Sequence, residues 1–93
     1  MSETHEIRLK RLRMRSWRRG MKEMDLILGP FADGPLAQLS TGDLDSYEAL
    51  LAENDQDLYR WISQLIGGQS AGPQVLDPIL RRVADHAAGK ASA

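Results

Sequence analysis

Apolar residues recur along this chain at spacings of three and four, and nowhere do β-branched residues alternate with polar ones at period two. Between Glu6 and Arg19, Ile7, Met14 and Trp17 share one helical face, which Leu9 and Leu12 extend; arginines fill most of the rest. The pattern predicts a short amphipathic helix with a cationic outer face, and it places Trp17 in the core. A second helix is predicted from about Met21 into the thirties, where Met24, Ile27 and Phe31 fall at i, i+3 and i+7 beside Leu28 and Ala32. Gly29-Pro30 predicts a kink or break in it, because proline removes a backbone donor and crowds the preceding turn. Asp33-Gly34-Pro35 reads as a turn, and residues 33–39 as loop or a last irregular turn.

Ser40 and Asp43 have capping-box spacing ahead of a third helix carrying Leu44, Tyr47, Leu50 and Leu51 and ending near Glu53. Asn54 or Asp55 caps a fourth, whose stripe of Leu58, Trp61, Ile62 and Leu65 is the cleanest in the chain; Gly67-Gly68 stops it. After a polar linker, Asp77 as cap and Pro78 at the first helical position open a fifth helix with Ile79, Leu80 and Val83. The fold class is therefore all-α: a compact array of about five short helices in a single domain over residues 6–88, with flexible termini at 1–5 and 89–93.

The link between the first two helices has its own character. Arg15, Arg18 and Arg19 match a helix C-terminus, where cations complement the macrodipole, and Glu23 falls in the first turn of the next helix. Gly20 between them reads as a corner, or as a point where another backbone must approach closely. If one helix instead runs straight through, Arg19 and Glu23 form an i,i+4 pair. Either arrangement yields a small polar patch with little bulk at its centre, and a surface ion pair of that kind contributes only about 0.3–0.5 kcal/mol.

Charge sharpens the picture. The 93 residues carry a net charge of −1, yet eight of the twelve basic residues lie between Arg8 and Lys22. From Glu23 to Asp57 there are nine acids and no lysine or arginine. Such a dipole along the sequence suits an oriented partner surface more than general nucleic-acid affinity, although the two blocks facing each other or water is the plainer account of most single charges. The absence of cysteine excludes disulfides and thiolate metal sites. No apolar run approaches a membrane span, so no membrane insertion is expected. The Arg-rich N-terminus contains Glu3 and Glu6 and lacks the apolar centre of a secretory signal, unlike an acid-poor transit peptide. The expectation is a cytoplasmic protein.

Catalytic chemistry is hard to find. His5 and His86 have no metal-site spacing and fall in segments expected to be mobile or marginal. Asp55 and Asp57 are explained by a helix cap and first turn, and no glycine-rich phosphate loop occurs. Three non-enzymatic readings stay open on the residues alone: a small helical adapter, an antitoxin-like partner, or nucleic-acid binding through the basic first helix. The acidic neighbouring segments and a pI near 6.1 count against the last.

Two stretches carry a resemblance. Arg19-Gly20-Met21-Lys22-Glu23 resembles the RGxxE motif of the succinate dehydrogenase assembly factor family, the SdhE-type flavinators, and Met24 to Leu28 with Phe31-Ala32 is similar to that family's continuation. Asn54-Asp55-Gln56-Asp57-Leu58-Tyr59-Arg60-Trp61 resembles the family's second block, with Gln56 where proline often stands. The likeness covers roughly residues 7–66 and does not reach past Gly67. It implies a factor that binds the flavoprotein subunit of succinate dehydrogenase, or of fumarate reductase, and promotes covalent attachment of FAD to a histidine of that subunit at the flavin 8α position. It implies Arg19, Gly20 and Glu23 as the partner-binding set, with Arg15, Arg18, Lys22, Asp25 and Tyr59 as possible supporting surface. With no metal-site spacing, no glycine-rich turn leading into a helix, and a small core that consumes its apolar residues, the chain is expected to bind no cofactor or metal itself, FAD being attached to the partner.

Overall fold

The computed structural model of the chain describes residues 3–89. Among these, five α-helices follow one another with no strand: α1 (His5–Trp17), α2 (Lys22–Asp33), α3 (Thr41–Leu51), α4 (Asp55–Ile66) and α5 (Asp77–Ala87). Short 3-10 segments at Pro35–Gln38 and Gln74–Leu76 lead into α3 and α5. Helix α1 packs on α2 and α3, while α5 lies against α2, α3 and α4. Leu12, Met24, Leu28, Phe31, Leu44, Tyr47, Leu50, Leu58, Ile62 and Leu80 meet in one core. Phe31 stacks on Tyr47 at 5.4 Å, and His86 in the last turn of α5 meets Phe31 edge-on.

Most helix ends form where local chemistry directs them. The Ser40 hydroxyl accepts from the Asp43 amide at 3.1 Å, and Asn54 rather than Asp55 caps α4 by accepting from the Gln56 and Asp57 amides. Gly67 and Gly68 close α4 on the Ser63 and Leu65 carbonyls. Asp77 departs from expectation. It is the first helical residue, with Leu76 in the cap position, and its carboxylate takes the Arg81 guanidinium at 2.9 Å, one turn along.

Helix α1 differs from the sequence reading in start and in face. The Thr4 hydroxyl accepts from the Ile7 amide, so the helix begins at His5, inside the segment expected to fray. The remainder of the two predicted flexible ends, residues 1, 2 and 90–93, lies outside the described residues. The buried face is Leu12 and Ser16, with Leu9 partly covered, whereas Ile7 and Met14 are each 55% exposed and Trp17 is 38% exposed. Nor does α2 break at Gly29-Pro30; it continues to Asp33. Leu26 and Pro30 lie on the exposed side, where water can take the carbonyl that proline leaves without a donor, while buried Leu28, Phe31 and Ala32 hold the helix to the core. Trp61, expected in the core, is only half-buried at the edge of the cluster.

Candidate functional site

The corner between α1 and α2 is real, and Gly20 makes it. Arg18 ends α1 with φ −128° and ψ 54°, Gly20 has φ +94°, and extended Met21 caps α2. A Cβ built on Gly20 would meet nothing within 4 Å, so the glycine is required by backbone conformation and not by crowding. Arg18, Gly20, Lys22 and Glu23 are exposed around this turn, and Arg18, Lys22 and Glu23 form no ion pair among the described residues. Glu23 sits in the first turn of α2, where a carboxylate is favoured by the helix dipole.

Arg19 does something else. Its side chain is 10% exposed and turns inward, away from Glu23. Nε donates to Asp55 Oδ1 at 2.7 Å, Nη2 to the Glu53 carbonyl at 2.7 Å, and Nη1 to the Leu51 carbonyl. The Leu51 carbonyl ends α3, where backbone acceptors lack intrahelical donors, the Glu53 carbonyl lies in the turn that follows, and Asp55 opens α4. One guanidinium thus joins the negative end of α3 to an acid at the positive end of α4. The Arg19 amide also donates to Asp25 Oδ1 at 2.7 Å. The surface pair of Arg19 with Glu23 allowed by a straight helix does not exist; the actual tie is half-buried and charge-assisted, of the kind contributing about 1.5–3 kcal/mol per bond.

The remaining candidates divide between the two roles. Arg15 is directed at Glu48 of α3, at 3.9 Å, and Asp25 serves Arg19. Tyr59, 39% exposed, stands one helical turn beyond Asp55 on α4. The basic block as a whole is largely engaged with the acidic one. Arg8 pairs with Asp45 at 2.6 Å and Glu48 at 3.2 Å, and Arg11 pairs with Glu48 at 2.9 Å and Glu3 at 2.8 Å. The Arg11 hydrogen bond, helped by Arg8, holds the Glu48 carboxyl below its ordinary range.

Sequence reasoning misses three members of this arrangement. Asp55 reads locally as a cap residue, and nothing nearby links it to Arg19, 36 positions earlier. Ser16 is fully buried, with its hydroxyl donating to the Leu12 carbonyl at 2.8 Å and lying 2.6 Å from Tyr47 Oη. Gly29 passes directly under the Trp17 indole, whose Nε1 donates to Asp33 at 3.1 Å. A helical-face count through Leu9, Leu12 and Ser16 is the one available signal for the second of these.

Among the described residues no group of three His, Cys, Asp or Glu could hold a metal ion, and no helix is long and apolar enough to cross a membrane. A family model described as the flavinator of succinate dehydrogenase matches residues 10–87. The matching relatives include proteins named succinate dehydrogenase assembly factor 2, mitochondrial. The one from Meyerozyma guilliermondii is 44% identical over 62 residues, 67% of this chain and 46% of that protein. Those from Scheffersomyces stipitis and Lodderomyces elongisporus are 42% and 40% identical over 62 residues, 67% of this chain and 42% and 38% of theirs. The matched segment thus spans less than half the length of these relatives. No solved structure matches.

The cytoplasmic expectation is overturned by these relatives, which are mitochondrial by name. It rested on the acids Glu3 and Glu6 and on a missing apolar centre near the N-terminus, and neither is a compartment signal in a folded helical domain. Matched over most of its length by the family model, the chain belongs to the succinate dehydrogenase assembly factor family, the flavinators of succinate dehydrogenase.

Proposed function

We propose that this chain binds the flavoprotein subunit of succinate dehydrogenase, or of the related fumarate reductase, and promotes covalent attachment of FAD to a histidine of that subunit. The bond forms between the partner's histidine and its FAD; this chain contributes no nucleophile and acts by holding the partner in a reactive conformation. The α1–α2 corner, carrying Arg19, Gly20 and Glu23, is the docking surface. One observation carries this reading: an exposed turn with no bulk at its tip, ringed by Arg18, Lys22 and Glu23 without ion pairs among the described residues, stands on a half-buried anchor. Charges already desolvated and paired at home bring little to a partner, whereas unpaired rim charges steer and orient it. Glu23 can accept donors from the partner, and Gly20 lets a backbone approach.

The adapter reading has no observation of its own, and the nucleic-acid reading is weakened because Arg8, Arg11 and Arg15 face acids of this same chain. The test is genetic. Deleting the gene should abolish the ultraviolet fluorescence of the flavoprotein band in a denaturing gel, the wild-type gene should restore it, and Glu23→Ala should restore it poorly at an unchanged melting temperature. Covalent flavin retained in the deletion strain sinks the proposal.

A further inference from the structure

We propose that Asp25 and Asp55 are positioning residues for the α1–α2 corner: by holding the two ends of Arg19, they fix the backbone that the partner meets. The binding half of this inference rests on the docking reading above; the structural half does not. Apart from Met21, whose side chain packs against the core, the link from Arg18 to Met21 has little else to shape it. Nothing packs within 4 Å of where a Gly20 side chain would begin, and the Met21 carbonyl is occupied only by the first amides of α2. Arg19, in the middle of the link, is grasped twice. Its amide is held by Asp25 of α2, and its guanidinium by Asp55 and the carbonyls of Leu51 and Glu53 at the α3–α4 turn.

All three guanidinium nitrogens donate inside the molecule, and the side chain is 10% exposed. Arg19 is therefore directed away from any partner, and its part in docking is indirect. The consequence reaches Asp55, whose side chain is 19% exposed and which lies 36 positions from Arg19 in sequence. Without that carboxylate the guanidinium loses its one charged acceptor among the described residues and keeps two backbone carbonyls of the α3–α4 turn. A link of four residues released from one clamp regains backbone freedom, which a partner must then remove on binding.

The test measures the corner and the complex separately. Backbone order parameters from nitrogen-15 relaxation should be near the rigid value of about 0.85 at Gly20 and Met21 in the wild-type chain, and fall toward roughly 0.6 in Asp55→Ala and Asp25→Ala. The same two variants should bind the purified flavoprotein subunit about tenfold more weakly or worse, as expected for a misplaced contact. Asp55→Asn keeps an oxygen for Arg19 Nε and should retain most of both properties. Ile62→Val, which thins the core, should lower the melting temperature and change neither. Unchanged order parameters in Asp55→Ala and Asp25→Ala overturn the clamp, as does a binding loss no larger than that of Ile62→Val. If Glu23→Ala binds like the wild type, the docking reading falls instead, and the order parameters still decide whether the aspartates hold the corner. Should Asp55→Ala fail to fold, Asp25→Ala, which leaves the α3–α4 turn untouched, decides between a held corner and a free one.

Discussion

At the scale of single residues, every buried side-chain nitrogen and oxygen among the described residues has a partner, and Ser16 with Tyr47 shows what such a tie implies. Ser16 has one hydroxyl proton, which goes to the Leu12 carbonyl, so Tyr47 Oη is the donor in the 2.6 Å contact between them. Burial pushes the Tyr47 phenol up to about 12. Folded Tyr47 keeps its proton after the unfolded chain has lost it near 10.0, so its contribution to stability is complete below that pH and is lost as pH rises towards about 12. Tyr47→Phe should destabilise by about 0.5–1.5 kcal/mol near neutrality, and the gap from wild type should shrink steadily above pH 10. Denaturant titrations of both proteins would check this; a gap independent of pH would contradict the buried donor. Neither this pair nor the inward turn of Arg19 is legible in the sequence. A serine among arginines reads as surface, and an arginine beside a glycine corner reads as outward-facing, because the acceptors that decide the matter, on α3 and α4, are remote in sequence.

Among the elements, those with local signals at both ends match the sequence reading: α3 between Ser40 and the α3–α4 turn, and α4 between Asn54 and the glycine pair. Helix α1 is legible as a helix but not as to its face. Ile7-Met14-Trp17 and Leu9-Leu12-Ser16 both satisfy helical spacing, and the stripe that packs inward is the one with a polar member. Trp17 instead lies over the backbone of α2 at Gly29, where a Cβ would overlap its ring. This explains a glycine inside α2 that reads locally as a helix breaker. It also gives a prediction whose sign depends on background. Gly29→Ala should destabilise the wild-type domain by about 1–3 kcal/mol, since the indole must leave its seat and its bond to Asp33. In a Trp17→Ala background the obstacle is gone, and the same change should stabilise by about 1 kcal/mol through helix propensity alone. Thermal melts of the four proteins form a double-mutant cycle; Gly29→Ala acting alike in both backgrounds would mean that Trp17 does not rest there.

Over the whole molecule, the charge dipole along the sequence folds back on itself. Arg8, Arg11 and Arg15 of α1 converge on Glu48, with Asp45 beside it and Glu3 closing the N-terminal end. The plainer reading of that dipole, two blocks facing each other, holds for this part of it. What stays open to a partner is the corner, and the resemblance found in two separate stretches makes physical sense because Arg19 of the first holds Asp55 of the second. The same inventory bears on whether FAD could lodge here. A dinucleotide site needs a concave, mostly apolar pocket and donors aimed at a pyrophosphate. In this domain Leu, Ile, Phe and Met side chains from every helix are consumed in one core, and the α1 arginines nearest one another already share carboxylates. Among the described residues, one open groove is lined by Glu6, Ile7, Leu9, Lys10 and Arg13, and another by Gly34, Pro35, Gln38 and Arg82. Each offers at most two cations, which would give FAD a diffuse attraction that fades with added salt. Titrating free FAD into the isolated domain at physiological salt should therefore give no saturable micromolar isotherm, by calorimetry or by flavin fluorescence, whereas adding the flavoprotein subunit should restore one. Stoichiometric binding to the domain alone would change its role from holding a partner to delivering the cofactor, and Lys10 and Arg13 would be the first residues to replace.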